Sequence, residues 1–143
     1  MCTHTRRTVI AMAAGGVTSL LYPLPPAAAL GENQRAFVAE AFRMKAKAVM
    51  SGDQPFGAVV VREAAIVGFG PSRAILDGNP AAHAERVALW DAQRRLGTSD
   101  LAGCVMYSTS RPCAACERAL SHANLERMYF GADATDAGRP ARP

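Results

Sequence analysis

The stretch GCVMYSTSRPCAACERALSHA, residues 103–123, joins an apolar segment to a pair of cysteines through a proline. Gly103 to Ser108 are apolar enough to predict a buried strand. Arg111-Pro112 predicts the start of a helix, because proline is favoured at the first helical position. Cys113 and Cys116 then lie three apart in the first turn, so both sulfurs can point at one ion. The helix start also favours their thiolate forms.

A second helix start lies upstream, in NPAAHAERVALWDAQRRLG at residues 79–97. Asn79 is a favoured N-cap and Pro80 a favoured first helical residue, and a glycine ends the apolar pattern. His83 and Glu85 are therefore expected in the first turn or so of this helix. Its basic residues are predicted to form a solvated face: Arg86, Arg94 and Arg95.

The remaining segments complete an alternation of helices and strands. The pattern predicts an amphipathic helix from Glu32 to about Met50 and strands at Gly57–Arg62, Ala65–Phe69 and Glu126–Gly131. The tail after Gly131, rich in Ala, Gly, Asp and Pro, is predicted to be loose. The order α-β-β-α-β-α-β indicates an α/β fold with a mixed sheet covered by helices.

Composition narrows the classes of protein. The chain has 143 residues, enough for one domain, with 16 Lys and Arg against 12 Asp and Glu. Residues 1–29 hold two of those bases and no acid, so residues 30–143 have 14 bases against 12 acids. This slight excess does not indicate a polyanionic partner, and nucleic acid is not expected to bind. Four cysteines do not make a disulfide scaffold in a chain of this length.

The first 29 residues have the pattern of an export signal. Arg6-Arg7 precede an apolar run that reaches Tyr22, prolines follow, and Ala27-Ala28-Ala29 offers a cleavage site. The paired arginines make the segment resemble a twin-arginine leader, which carries folded proteins across the bacterial inner membrane. We therefore predict a mature domain at residues 30–143, located in the periplasm or outside the cell. After cleavage it would not be inserted in a membrane; the alternative is an uncleaved anchor.

The two helix starts supply a candidate metal site. His83 with Cys113 and Cys116 makes a set of one nitrogen and two sulfurs, which suits Zn²⁺. Three protein ligands leave the fourth tetrahedral position for water, as in catalytic zinc sites. Glu85 is too far around its helix to be an equivalent ligand, but it can reach that water and move its proton.

Two other interpretations of the cysteine pair remain open at this point. A CxxC pair at a helix start, in an oxidising compartment, is also typical of thioredoxin-like dithiol oxidoreductases. A closed structural zinc site would need a fourth protein ligand, for which Cys104 is the spare thiol in the mature chain. Cys104 lies within an apolar strand, however, where a free cysteine usually packs as a small hydrophobic residue.

The H-x-E…P-C-x-x-C pattern resembles the signature of zinc nucleobase deaminases. From about Ala36 to Asp136 the chain is similar to the cytidine/deoxycytidylate deaminase superfamily, in the branch of guanine, cytosine and tRNA adenosine deaminases. The motifs occur in order, at residues 55–61, 68–70, 80–85, 103–108, 112–116 and 130–132. The resemblance implies a three-layer α/β/α fold with a mixed central sheet, zinc held by His83, Cys113 and Cys116, and Glu85 as proton shuttle.

The resemblance also implies a substrate-binding set. The turn Pro55-Phe56-Gly57 matches the stretch that lines the base pocket, and backbone N–H groups near Ala84 and Cys113 lie close to the metal in such proteins. Relatives often carry Asn at Ser72, where it commonly contacts the substrate, Glu at Arg111 and Asp at Asn79. Arg111 either meets an anionic group of the substrate or merely flanks its helix. The candidate set is Phe56, Gly57, Ser72, Ala84 and Arg111.

The expected activity is hydrolytic deamination of a small free base or nucleoside, of the cytosine or guanine type. The alternatives are a tRNA adenosine deaminase, an exported CxxC dithiol oxidoreductase and a zinc-binding relative without catalysis. Relatives are commonly dimers and continue with another strand and helix that often close the pocket. Because the chain stops at Pro143, we expect a homodimer or an unusually open site.

Overall fold

The structure is a computed structural model that describes residues 31–142. The predicted export signal lies outside the described residues. The described part contains three helices and five strands: α1 (Glu32–Met50), β1 (Gly57–Arg62), β2 (Ala65–Pro71), α2 (Ala84–Leu96), β3 (Cys104–Ser108), α3 (Ala114–His122), β4 (Arg127–Phe130) and β5 (Thr135–Gly138). None of these helices is long and apolar enough to cross a membrane.

The five strands form one mixed sheet in the order β2-β1-β3-β4-β5. β1 pairs antiparallel with both β2 and β3, and β4 pairs antiparallel with β5. β3 and β4 are parallel, with α3 between them in the chain as the crossover helix. The predicted α/β class with a mixed sheet is confirmed.

The two faces of β1 are both buried, and each packs against different helices. Successive side chains of a strand point to opposite faces. Val59 and Val61 pack in a cluster with Phe37 and other residues of α1. Ala58 and Val60 belong to a second cluster with residues of α2 and α3. With α1 on one face and α2 and α3 on the other, the three-layer α/β/α arrangement is confirmed.

Helix α2 begins later than the sequence predicts. It starts at Ala84 with His83 as its N-cap, not at Asn79-Pro80. Asn79 instead forms a turn, in which its Oδ1 accepts a hydrogen bond from the Ala81 N–H at 3.0 Å. Asparagine caps and asparagine turns use the same side-chain oxygen, so the local sequence favours both and the turn prevails here.

The chain after Gly131 forms a fifth strand, where the sequence predicts a loose tail. Gly131 and Ala134 have φ of 75° and 45° in the turn that reverses the chain. β5 then pairs with β4, and Arg127 Nη1 donates to Asp136 Oδ2 across the pair at 2.6 Å. A polar segment can cover a strand edge through its backbone alone, so it carries no apolar pattern that would reveal it.

Two glycines in β2 let the backbone of α2 pack directly against the backbone of the sheet. A Cβ on Gly70 would lie 2.0 Å from the Ala84 carbonyl oxygen, and a Cβ on Gly68 would lie 2.4 Å from that of Ala88. Both distances are far inside van der Waals contact, so any side chain would push α2 away. Since Ala84 is the first residue of α2, this contact sets the position of His83 beside it.

We expect Gly70→Ala to lower the free energy of unfolding by about 2–3 kcal/mol, because backbone atoms of α2 must move to admit the methyl group. Urea denaturation measures the change. Gly31→Ala is the control, since a Cβ on Gly31 meets no atom within 4 Å, and it should change stability by less than about 1 kcal/mol. Equal losses in the two variants would contradict the close approach at Gly70.

Candidate functional site

His83 and Cys113 occupy the same position in two neighbouring helices. His83 is the N-cap of α2 and Cys113 the N-cap of α3, each with extended backbone. The α3 start comes soon after Ser108, where β3 ends, and α2 and α3 are in contact. With Cys113 as its N-cap, α3 begins at Ala114 and not at the predicted Arg111-Pro112. The ligand groups lie beyond the carboxyl end of β3, the usual position of sites in α/β sheets.

Three candidate ligand atoms converge between these helix starts. His83 Nδ1 lies 3.5 Å from Cys116 Sγ and 3.7 Å from Cys113 Sγ. With Zn–S of about 2.3 Å and Zn–N of about 2.0 Å, tetrahedral coordination places nitrogen and sulfur about 3.6 Å apart. The observed separations fit a zinc ion. Cys113 Sγ also accepts the Cys116 N–H at 3.4 Å, which holds the two cysteines of the pair together.

The cluster offers three ligands and leaves a fourth position open. No other His, Cys, Asp or Glu within residues 31–142 joins His83, Cys113 and Cys116. Cys104 is fully buried at the other end of β3, opposite Arg62, as the sequence predicts for a packing residue. A closed structural site built with Cys104 is thus not formed. An open position is the feature of catalytic metal sites.

Glu85 is buried close to the cluster, in the first turn of α2. Its exposed fraction is 5%. Burial raises the pKa of its carboxyl, while its own backbone N–H, His83 and Cys116 act in the opposite direction. A carboxyl with a raised pKa can accept and release a proton closer to neutral pH than an exposed one.

Arg86 is not part of a solvated face, contrary to the prediction. Its Nη2 donates to the Ala115 carbonyl in the first turn of α3 at 3.0 Å, and its Nε is buried without a partner among the described residues. Burial, the nearby Glu85 carboxyl and Cys113 raise the pKa of the Cys116 thiol, and the Arg86 guanidinium offsets only part of this rise. Arg86 thus ties α2 to α3 beside the cluster. Arg94 and Arg95 are exposed, as predicted.

A small cavity opens beside the cluster. Its volume is 150 Å³, and the residues that line it are Gln54, Phe56, His83, Glu85, Ser110, Arg111 and Cys113. Phe56 is 39% exposed and Arg111 lies over the ring of Phe130, with its guanidinium carbon 5.9 Å from the ring centroid. The sequence predicted Phe56 and Arg111 at this cavity but missed Gln54 and Ser110. The only signal for Gln54 was its place directly before the Pro55-Phe56-Gly57 turn.

The other three predicted substrate-binding residues do not line this cavity. Gly57 lies against α1, where a Cβ would be 2.2 Å from the Ala41 carbonyl oxygen. Ala84 packs its side chain in the cluster shared by the sheet and α2. Ser72 is 1% exposed, and its hydroxyl donates to Asp53 Oδ1 at 2.8 Å. Asp53 thus occupies the Ser72 hydroxyl in this structure, and the substrate contact expected from Ser72 stays a prediction.

Asp53 joins the two loops that flank β1 and β2 on the cavity side. Its carboxylate accepts the Ser72 hydroxyl and the backbone N–H groups of Gln54, Ile75 and Leu76, at 2.7 to 3.0 Å. Burial raises the pKa of Asp53, but these hydrogen bonds outweigh it and hold the pKa below its usual value. We call this carboxylate with its four donors the Asp53 hub.

Fold and site together define a class: a three-layer α/β protein with a His-Cys-Cys cluster able to hold a metal at two helix starts and a buried carboxylate beside it. Residues 31–132 match the family described as the cytidine and deoxycytidylate deaminase zinc-binding region. The chain belongs to this deaminase family, and the resemblance predicted from the motifs is confirmed.

Individual relatives act on different substrates. The chain is 33% identical over 106 residues to the guanine deaminase of Bacillus subtilis, covering 73% of this chain and 68% of that protein. It is 36% identical over 96 residues to a tRNA-specific adenosine deaminase of Aquifex aeolicus, covering 67% and 64%. The X-ray structure of a Bacillus subtilis guanine deaminase superposes with a TM-score of 0.66 at 30% identity, covering 72% of this chain and 65% of that one.

We expect the free energy of unfolding of Asp53→Asn to depend less on pH in the acid range than that of the wild type. The pKa of Asp53 is lower in the folded chain than in the unfolded chain, where it is about 3.9. The stabilisation from the ionised hub is therefore complete above about pH 4 and is lost as the pH falls through the folded-state pKa. Urea midpoints between about pH 2 and pH 6 measure this. The exposed Asp133 supplies the control Asp133→Asn; identical acid slopes in the wild type and Asp53→Asn would refute the hub.

Proposed function

We propose that the protein is a zinc-dependent hydrolase that deaminates a free nucleobase or nucleoside, of the cytosine or guanine type. One observation carries this proposal: His83, Cys113 and Cys116 converge beside the buried Glu85 at a single small cavity. Membership in the deaminase family supports the reaction class, and the similarity to a guanine deaminase supports a base as substrate.

His83, Cys113 and Cys116 would hold the zinc. Zinc bound there supplies the Lewis acidity that makes water nucleophilic near neutral pH. The start of α3 contributes as well, because the Cys116 N–H donates to Cys113 Sγ and so orients this sulfur toward the cluster. The hydrogen bond from Arg86 on α2 to the backbone of α3 holds the two helices together beside these sulfurs.

Glu85 carries the proton transfers in this proposal. Its carboxylate takes a proton from the attacking water and delivers it to the ring nitrogen next to the amine-bearing carbon. The oxygen bonds to that carbon, Glu85 passes the second proton to the amine, and the C–N bond breaks to release ammonia. The burial of Glu85 supports this role, since it raises the pKa of the carboxyl toward the working pH.

The cavity favours a small substrate. Its 150 Å³ suit a single planar ring system, and the partly exposed Phe56 offers a face on which a base can stack. The slight positive charge of residues 30–143 gives little attraction to a polynucleotide. A tRNA anticodon stem-loop is nevertheless the second substrate to test, because a relative is a tRNA-specific adenosine deaminase.

Export by the twin-arginine signal stays a prediction from residues 1–29. It is supported by Arg6-Arg7, the apolar run and the alanine cleavage site. A homodimer also stays a prediction. In a zinc enzyme the export route would fit the chemistry, since that route carries proteins already folded around their metal.

We expect the purified protein to bind about one zinc ion per chain, as the three-ligand set requires. Cys113→Ser or Cys116→Ser should lose most of this zinc, and Cys104→Ala should keep it, because Cys104 lies outside the cluster. Elemental analysis after gel filtration gives the metal content. A zinc-free protein whose Cys113 and Cys116 cycle between dithiol and disulfide would contradict the proposal and support the oxidoreductase.

We expect Glu85→Gln to retain the zinc and lower ammonia release by at least about 10²-fold, because the amide cannot shuttle a proton. The assay is ammonia release by the zinc-loaded protein from cytosine, guanine, adenine, their nucleosides and the tRNA anticodon stem-loop. Glu126→Gln, whose side chain is exposed between α3 and β4, is the matched control and should match the wild type. Full activity of Glu85→Gln would exclude the proton-shuttle role.

A further inference from the structure

We propose that Gln54 is the specificity-determining residue that hydrogen-bonds the base, and that Asp53 is the positioning residue that sets it. The inference rests on the proposed function and names a residue for base selection within it. Gln54 lines the same cavity as His83 and Glu85, and it comes from a loop far from either helix start.

The backbone of Gln54 is held at both of its polar groups. Its N–H donates to Asp53 Oδ1 at 2.7 Å, and its carbonyl accepts the Phe56 N–H at 2.8 Å across a tight turn. Pro55 lies within this turn and restricts it further, because its ring fixes φ. The side-chain amide of Gln54, by contrast, makes no hydrogen bond with residues 31–142. A rigid backbone thus presents a free amide at the cavity.

Asp53 fixes this turn through donors from two separate loops. Its carboxylate is 7% exposed and receives the Ser72 hydroxyl and two backbone N–H groups of the segment at Ile75 and Leu76, besides that of Gln54. A carboxylate has only acceptors, so all four donors are satisfied at once. An asparagine in its place would turn an NH₂ group toward some of these donors and loosen the turn.

Among the lining residues outside the ligand cluster, the amide of Gln54 is the neutral side chain that both donates and accepts through separate atoms. Arg111 has only donors, and Glu85 is engaged in proton transfer. Ser72, the polar side chain that the resemblance placed at the substrate, is occupied by Asp53 instead. Gln54 is therefore the amide that this cavity offers to a base.

Two substitutions at Gln54 change its hydrogen-bonding without changing its size much. Gln54→Glu leaves acceptors only, so it should favour guanine, whose N1–H and amino group are two adjacent donors, over cytosine, whose amino group lies beside the acceptor N3. Gln54→Leu removes both kinds of group. We expect Gln54→Glu to change the ratio of dissociation constants for guanine and cytosine about tenfold in favour of guanine. Gln54→Leu should raise the dissociation constant of the preferred base about tenfold. Its kcat should stay within about threefold of the wild-type value.

The experiment measures equilibrium binding of guanine, cytosine and their nucleosides by calorimetry, together with zinc content and the KM and kcat of ammonia release. Gln34→Leu is the matched control: Gln34 is also partly buried, but it lies on α1 and donates to the Tyr107 hydroxyl. It should leave the binding ratio unchanged. All variants should keep their zinc, since Gln54 is not part of the ligand cluster.

A double-mutant cycle tests the positioning role of Asp53. Asp53→Asn should weaken base binding in the wild-type background and have less than about a twofold effect in the Gln54→Leu background, because its action passes through Gln54. If Asp53→Asn does not fold, the two Gln54 variants decide the proposal alone. Equal effects of Asp53→Asn in both backgrounds would overturn its positioning role.

The outcomes separate this inference from the proposed function. Altered binding ratios in the Gln54 variants support the inference even if no base releases ammonia, a result that would refute the proposed function. Normal ammonia release with binding ratios unchanged within about twofold overturns the inference and leaves the proposed function standing. Wild-type protein that binds none of the bases overturns the inference as well.

Discussion

The close backbone contact between β2 and α2 governs the geometry of the whole site. Gly70 admits the first turn of α2 against the sheet, and this sets where His83 and Glu85 lie. The other half of the site is tied to the same sheet, because Thr109 and Gly57 exchange hydrogen bonds of 2.9 and 3.1 Å where β3 and β1 meet the cavity. Ligands from distant segments are thus held by one rigid frame, which metal binding and catalysis both require.

The site concentrates groups that a protein interior disfavours. Glu85 and Cys116 are almost fully buried, and burial alone raises the pKa of each. The guanidinium of Arg86 lies beside them with a buried Nε that lacks a partner among the described residues. Unpaired buried groups destabilise the folded chain. A divalent cation at the sulfurs would offset part of this, so folding and metal binding are expected to be coupled.

The sequence predicts the elements whose signals are local, and it fails where the decisive partner is remote. The apolar periods of α1, β1 and β3 are confirmed, as is the convergence of His83 with the two cysteines. The start of α2 was placed too early, because Asn79 serves equally well in a turn. β5 was missed because it pairs through its backbone and the Arg127–Asp136 ion pair rather than through an apolar pattern, and Arg86 because its acceptor belongs to another helix.

Reaction chemistry and base selection differ in how the sequence encodes them. The ligands and Glu85 sit within two helix starts, where cap position and three-residue spacing determine the geometry, so motifs carry them from one family member to another. The part of the cavity wall at Gln54 and Phe56 is held where loops separated by about twenty residues meet at Asp53. Ser72 does not line the cavity because its hydroxyl donates to Asp53. No motif in the sequence reveals that these two residues form a pair. A family match therefore defines the reaction class of this chain more sharply than its substrate, because part of the cavity wall depends on contacts between distant loops.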